Sequence, residues 1–356
     1  MLFDAEVKKF YKNRIKQVFV YLTNHCQLRC KQCLYKPILD NSSSDLEFSV
    51  LLNLLTVFHD FGAFKVSYLG GEPTLYNSQN KTFSDVVSLS HDLGYEYVRV
   101  DTNGQFSKEF LEDKSIRLLN EITFSLDGHD ESTNDAVRGL GSFKKCVANI
   151  QKAVYEGYKV QITSCIHSKA FSNKESAVEN MEKIISFAEE LGVDSINFHP
   201  ILKVGAARDE WISDTDISPA LWTEIYKVIS DRVQFDEYAI NVRIPTRYIS
   251  DYDPTDMDFY NYCPLKMGER ALIMPDGQIK VCAFTIGTDY CIARFDKSKI
   301  KFEKHFNELD KLDENRICCN QSSYDGLEPL CMSFKPNQEE LVWNSIRLEG
   351  KSHALS

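Results

Sequence analysis

Val18-Phe-Val-Tyr-Leu-Thr-Asn-His-Cys26-Gln-Leu-Arg-Cys30-Lys-Gln-Cys33 is the stretch on which the reading of the chain turns. Its first part, residues 18–23, is a run of β-branched, aromatic and aliphatic side chains of strand type. Its second part places three thiols within eight positions of one loop directly after that strand. Thiols spaced CX3CX2C can converge on a single cube of iron and sulfide, binding three irons and leaving the fourth without a protein ligand. An open position is what separates a catalytic metal from a structural one, so a substrate or cofactor is expected to fill it. The alternative for the same thiols is a zinc site completed by a distant fourth ligand.

The strand-then-loop unit recurs outward from this stretch. Strands are expected at residues 18–23, 65–69, 95–101, 121–126, 159–165 and 195–199, and helices at 46–60, 82–93, 142–156, 176–191 and 219–233. Parallel neighbours need crossover connections, so this alternation predicts an α/β fold: a parallel sheet with helices outside, forming a partial (β/α)6 TIM-like barrel. The functional rim of such a sheet lies at the carboxyl ends of its strands, where loops 23–35, 70–74, 101–105, 127–141 and 200–208 fall. From about residue 235 the pattern changes to short segments punctuated by Pro, Asp and Gly. The expected organisation is an N-terminal extension (1–16), the barrel (17–234), a small C-terminal β-hairpin/α domain (235–340) and a tail (341–356).

Bulk properties narrow the function classes. The 356 residues are 43% hydrophobic and 26% charged, which suits a globular protein and excludes a small disulfide-stapled scaffold. No apolar run approaches the ~20 residues that cross a bilayer, and the N-terminus has neither an apolar h-region nor a small-residue cleavage site. A cytoplasmic protein without a membrane partner is expected. The formal charge of -11 and the lack of a Lys/Arg block speak against a nucleic-acid partner. Eleven cysteines in a chain without an export signal point to metal or catalytic use rather than disulfides.

Gly70-Gly71-Glu72-Pro73 follows the second strand. Two glycines let backbone approach a ligand closely and Glu72 offers a negative acceptor to an amino group, although an ordinary turn explains the same residues. Taken together and in this order, CX3CX2C and GGEP resemble the radical S-adenosylmethionine superfamily over residues 17–234. The resemblance implies that Cys26, Cys30 and Cys33 hold a 4Fe-4S cluster, that S-adenosylmethionine occupies the open iron, and that Gly70, Gly71 and Glu72 face its methionine end. It also implies an electron donor such as flavodoxin or ferredoxin, and cleavage of the cofactor to a 5'-deoxyadenosyl radical that abstracts a substrate hydrogen. The residue before the third cysteine is usually aromatic in the family; Gln32 departs from this, and Tyr35 becomes the candidate stacking partner for adenine. Asp101-Thr-Asn103-Gly and Ser125-Leu-Asp-Gly128 match stretches common in the superfamily, with Ser125 expected at the ribose hydroxyls. Arg138 matches an arginine that pairs with the cofactor carboxylate, a geometry that guanidinium suits. Turn capping or an ion pair is the alternative for each of Asn103, Ser125 and Arg138.

The remaining cysteines cluster late in the chain. Residues 271–282 read as a hairpin around Pro275-Asp-Gly, which brings Cys263 and Cys282 to one end. Their CX13GX4C spacing resembles the opening of SPASM and twitch extensions, which implies one auxiliary 4Fe-4S cluster held by Cys263, Cys282 and Cys331 with Cys319 or Cys318. A zinc ribbon is the alternative. A cysteine left over, Cys291, Cys318 or Cys165, could donate hydrogen to a substrate radical, though inert packing explains a buried thiol equally. His199 ends the sixth strand, as a base at the rim or as a hydrogen-bonded histidine. SPASM-like extensions imply a peptide substrate (crosslinking, oxidation or epimerisation). Two readings compete: radical dehydrogenation or epimerisation of a small polar metabolite such as an aminosugar, and a non-catalytic iron-sulfur or zinc scaffold. The roughly two dozen residues before Cys26 are too few for the leader-binding domain that many peptide-modifying members carry.

Overall fold

Alternating strand and helix runs become a parallel sheet in the computed structural model, which describes residues 2–3, 5–41, 44–167, 173–200, 225, 228–229, 231–233, 237–243, 268–280, 286, 291–296 and 299–302. In chain order the first elements are β1 (Leu2–Phe3), α1 (Ala5–Tyr11), β2 (Gln17–Tyr21), α2 (Lys36–Asn41), α3 (Phe48–Asp60), β3 (Lys65–Leu69), β4 (Asn77–Ser78), β5 (Lys81–Thr82) and α4 (Phe83–Asp92). Then come β6 (Tyr97–Thr102), β7 (Glu121–Ser125), α5 (Glu131–Arg138), α6 (Ser142–Tyr155), β8 (Val160–Ile166), α7 (Lys174–Leu191) and β9 (Ser195–Pro200). Short strands β10 (Asn241–Arg243), β11 (Arg270–Ile273), β12 (Gln278–Lys280), β13 (Ala293–Phe295) and β14 (Lys299–Phe302) follow.

The six expected strands are β2, β3, β6, β7, β8 and β9, paired side by side in that order and all parallel. On β6 the side chains alternate as a half-buried strand requires: Val98 and Val100 are buried in the core while Arg99 and Asp101 on the opposite face are partly exposed. The helices cover the apolar face with stripes of period 3.6, as on α3, where Val50, Leu51, Leu54, Leu55 and Phe58 are buried. Asn173 caps α7 by accepting from Ser176 N at 2.9 Å, and Gly192 ends it in the left-handed region at φ 73. Of the helix expected at 219–233, the described residues are helical.

The sheet extends further than the sixth strand. β10 joins β9 in parallel, and on the opposite side β11 pairs in parallel with β2, so the hairpin expected at 271–282 forms and is hydrogen-bonded to the strand that carries the cysteine loop. β12, β13 and β14 continue as an antiparallel meander, with β1 parallel to β14 at the edge. Gly277 makes the hairpin turn possible: its φ is +88, and a Cβ there would lie 2.6 Å from the Phe295 carbonyl oxygen. Leu272, Met274 and Ile286 pack with Tyr21, Tyr35 and Leu39, and Cys26 and Cys33 lie against that cluster.

Three helices form where no helix was expected: α1, α2 and α5. α5 lies inside the stretch read as a rim loop and buries only Asn134 and Val137, too few apolar positions to show a helical period.

Candidate cluster and cofactor site

The rim is built from the ends of β2, β3, β6, β7 and β8. After β2 the chain turns through Thr23, whose hydroxyl accepts from His25 N at 3.0 Å, and enters the cysteine loop. That loop is held by its own backbone: Cys33 N donates to Cys30 O at 3.2 Å, Lys31 N to Val137 O at 2.9 Å, and the Arg29 guanidinium to Cys26 O at 2.7 Å. Cys26, Cys30 and Cys33 are all partly buried and free. Burial pushes the Cys26 thiol up to about 11, with Glu72 and Cys30 adding to it. It pushes Cys33 up to about 12, with Cys30 and Cys26 adding to it. Cys30 is raised by burial too, against the pull of Arg138. Three crowded thiols that disfavour the thiolate call for positive charge between them, and bound iron supplies it, so the donor set fits a cluster.

The two glycines of the second loop answer to the chain itself. Gly71 N donates to Thr23 O and Glu72 N to His25 O, both at 2.7 Å, so this loop runs against the backbone that launches the cysteine loop. A Cβ on Gly71 would lie 2.2 Å from His25 O, and one on Gly70, at φ +138, 2.5 Å from Thr23 O. The close approach that the sequence suggested toward a ligand is made here between two loops. Glu72 is completely buried. Its Oε1 accepts from Thr74 N (3.2 Å), Thr74 Oγ1 (2.8 Å) and Thr102 Oγ1 (2.7 Å), and its Oε2 from Asn103 N (2.8 Å). Burial raises its carboxyl above the usual range while these donors pull it back.

Asn103 is thereby held beside the cysteines: its Nδ2 points to Cys26 Sγ at 3.6 Å, and its Oδ1 accepts from Gln105 N at 2.9 Å. Across the rim, Arg138 ion-pairs through Nε with Asp127 Oδ2 at 2.6 Å, Gln32 Nε2 donates to the same oxygen, and Cys165 N donates to Oδ1 at 2.6 Å. Cys30 Sγ lies 3.9 Å from the Arg138 carbonyl oxygen. Cys26, Cys30, Cys33, Asn103 and Arg138 are thus brought together, and Ser125, partly buried at the end of β7, shares the rim. An open cleft of about 340 Å³ beside Cys26 is lined by Asn24, His25, Gln27, Arg29, Leu39 and Leu75.

Other expected residues fall elsewhere. Tyr35 is 4% exposed, stacked on Tyr21 with ring centroids 5.2 Å apart, and donates its hydroxyl to Asn24 at 2.5 Å. Cys291 is fully buried two residues before Ala293, which pairs with Ile279; since β13 runs antiparallel to β12, it sits toward the end of the sheet where β2 begins, away from the rim. Cys165 lies at the rim on β8, with Asp127, Arg138, Cys30 and Cys33 in its electrostatic surroundings. His199 pairs in register with Cys165 and is hydrogen-bonded to Asn197 at 2.9 Å. Cys263, Cys282, Cys318, Cys319 and Cys331 lie outside the described residues. Sequence reasoning passed over Asp127, whose one signal was its place at the end of a strand within Ser125-Leu-Asp-Gly128.

Residues 20–184 match the family model of the Radical SAM superfamily. A GTP 3',8-cyclase from Vibrio vulnificus is 27% identical over 179 residues, 48% of this chain and 52% of that protein; one from Haemophilus influenzae is 28% identical over 179 residues, 49% and 50%. The chain spans about half the length of the curated relatives it matches. Among solved structures, anSMEcpe with bound AdoMet superposes with a TM-score of 0.64 at 16% identity, covering 95% of this chain and 99% of that one. Streptococcus suis SuiB bound to S-adenosylmethionine gives 0.61 at 17% identity, covering 86% and 68%. The cysteine trio and the loop locked beside it thus sit on the rim of a parallel α/β sheet, and residues 20–184 match a radical SAM domain.

Proposed function

We propose that the chain is a radical S-adenosylmethionine enzyme that abstracts hydrogen from a peptide substrate, leading to crosslinking, oxidation or epimerisation. The observation that carries the proposal is the meeting of three mutually disfavoured thiols with the Gly70-Gly71-Glu72 loop, bound backbone to backbone at one strand end. When bound, the 4Fe-4S cluster and S-adenosylmethionine supply reductive cleavage to a 5'-deoxyadenosyl radical, with the electron drawn from a flavodoxin or ferredoxin.

The chain's own residues do the holding. Cys26, Cys30 and Cys33 ligate; Gly70 and Gly71 keep the second loop close; Glu72 fixes Asn103 beside Cys26; Ser125 stands at the same rim for the cofactor's sugar. Tyr35 is left out of this set, because its ring lies on Tyr21 and its hydroxyl is held by Asn24. The carboxylate contact expected of Arg138 would use guanidinium nitrogens other than Nε, which Asp127 holds. An auxiliary 4Fe-4S cluster on Cys263, Cys282, Cys331 and Cys319 or Cys318 completes the proposal. A peptide is favoured because SuiB has been solved bound to precursor peptide SuiA, and anSMEcpe with bound AdoMet and the Cp18Cys peptide.

Anaerobic reconstitution tests the reading. About eight irons per chain and dithionite-dependent 5'-deoxyadenosine, abolished by Cys30→Ala, are expected. About four irons would remove the auxiliary cluster, and zinc in place of iron would remove the enzyme. Turnover of an aminosugar but of no peptide would shift the substrate to the small-metabolite reading.

A further inference from the structure

Asp127 stands apart among the groups at the rim. Its side chain is completely buried, yet it receives contacts from three other stretches of the chain: Gln32 of the cysteine loop, Arg138 at the end of α5 and the Cys165 backbone on β8. Asn134 Oδ1 accepts from its backbone N at 3.0 Å, which ties the start of this loop to α5 as well. Arg138, with a side chain only 10% exposed, faces both this carboxylate and Cys30. Burial works against its charge, and Asp127 first and Cys30 second restore it. Cys30 Sγ lies 3.9 Å from the Arg138 carbonyl oxygen, and the charge of that residue's guanidinium favours the Cys30 thiolate. One buried cation is therefore paired with a fixed anion and acts electrostatically on a sulfur that would ligate iron.

We infer that Asp127 is a positioning residue that offsets the Arg138 charge felt at Cys30, and so holds down the reduction potential of the cluster bound by the trio. The inference rests on the cluster reading above. A guanidinium stays protonated under all working conditions, and in a buried setting its field is weakly screened. A carboxylate 2.6 Å from Nε cancels much of that field; an amide of the same shape does not. Adding an electron to the cluster adds negative charge, which an uncompensated guanidinium favours. Groups one shell removed from metal ligands tune the metal in this way. The same oxygen also receives the Gln32 amide, so Asp127 holds the cysteine loop and sets its electrostatics at once.

An EPR-monitored redox titration of the reconstituted full chain, without S-adenosylmethionine, tests this. Asp127→Asn is expected to move the N-terminal cluster to a more positive potential by a tenfold change in the reduction equilibrium, about 59 mV for one electron. The double variant Asp127→Asn/Arg138→Met, which removes both charges, should return to near the wild-type value. Gln32→Met, which loosens the loop and removes no charge, should stay near it too. Should Asp127→Asn fail to take up iron, Asp127→Ser removes the same charge and carries the same expectation. An intact cluster whose potential is unmoved in the Asp127 variants, or is moved as far by Gln32→Met, would overturn the role given to Asp127 and leave the cluster reading standing. A wild-type chain that took up no iron at the trio would take down both.

Discussion

Two buried carboxylates flank the cysteine loop, and they are satisfied in opposite ways. On the β3–β6 side Glu72 takes four hydrogen bonds, all from neutral donors of Thr74, Thr102 and Asn103. On the β7–β8 side Asp127 takes an ion pair from Arg138 beside amide donors. The first is a latch between two loops whose donors carry no charge. The second is half of a charge pair whose other half acts on Cys30. A buried acid ringed by neutral donors can lose its charge and keep most of its contacts; a buried acid bound to a cation cannot lose it without stranding the cation.

Four substitutions break or sharpen this contrast, and urea unfolding of the metal-free chain reads each of them. The largest effect belongs to the latch's backbone: Gly71→Ala would push a methyl to 2.2 Å from the His25 carbonyl oxygen. Separating the two loops is expected to cost on the order of 4 kcal/mol, and a loss below 1 kcal/mol would show the loops free to part. Next comes Asp127→Asn, expected to cost about 3 kcal/mol because it leaves the Arg138 charge buried and unpaired.

Glu72→Gln is expected to cost only about 1 kcal/mol at neutral pH. A loss equal to that of Asp127→Asn would erase the distinction between the two sides. It also carries a pH signature. The folded Glu72 carboxyl is raised by burial, so the native state binds its proton more tightly than the unfolded chain, whose carboxyl titrates near ~4.3. The contribution is present below that unfolded value and lost as pH rises toward the raised one. Stability of the wild type should therefore fall across that window more steeply than that of Glu72→Gln, and parallel pH profiles would show that Glu72 does not titrate there. The smallest effect is expected of Thr102→Val, which removes one neutral donor at 2.7 Å for about 0.5 kcal/mol; its pH profile should keep the wild-type shape.

The amino-acid order alone carried much of the architecture. Alternating apolar and polar positions such as Val98, Arg99, Val100 and Asp101 specify a strand with one buried face, and helix stripes between such strands leave parallel pairing as the solution. The cysteine trio was equally legible, since three thiols within eight residues cannot lie far apart whatever the fold. These patterns act over a few residues, where the chain's own geometry settles who meets whom.

Tertiary structure alone decided the rest. Gln32 and Asp127 are 95 positions apart, and nothing local to either marks them as partners; they meet because β2, β7 and β8 end on one rim. Gly71 looked like room for a ligand and proved to be room for His25, because two successive strand ends press their loops together. Cys291, offered as a hydrogen donor, lies toward the start of β2, because the meander reverses direction twice after β11. Residue spacing limits what neighbours along the chain can do, whereas strand order and direction, set by the burial of many side chains at once, determine which distant residues share a site.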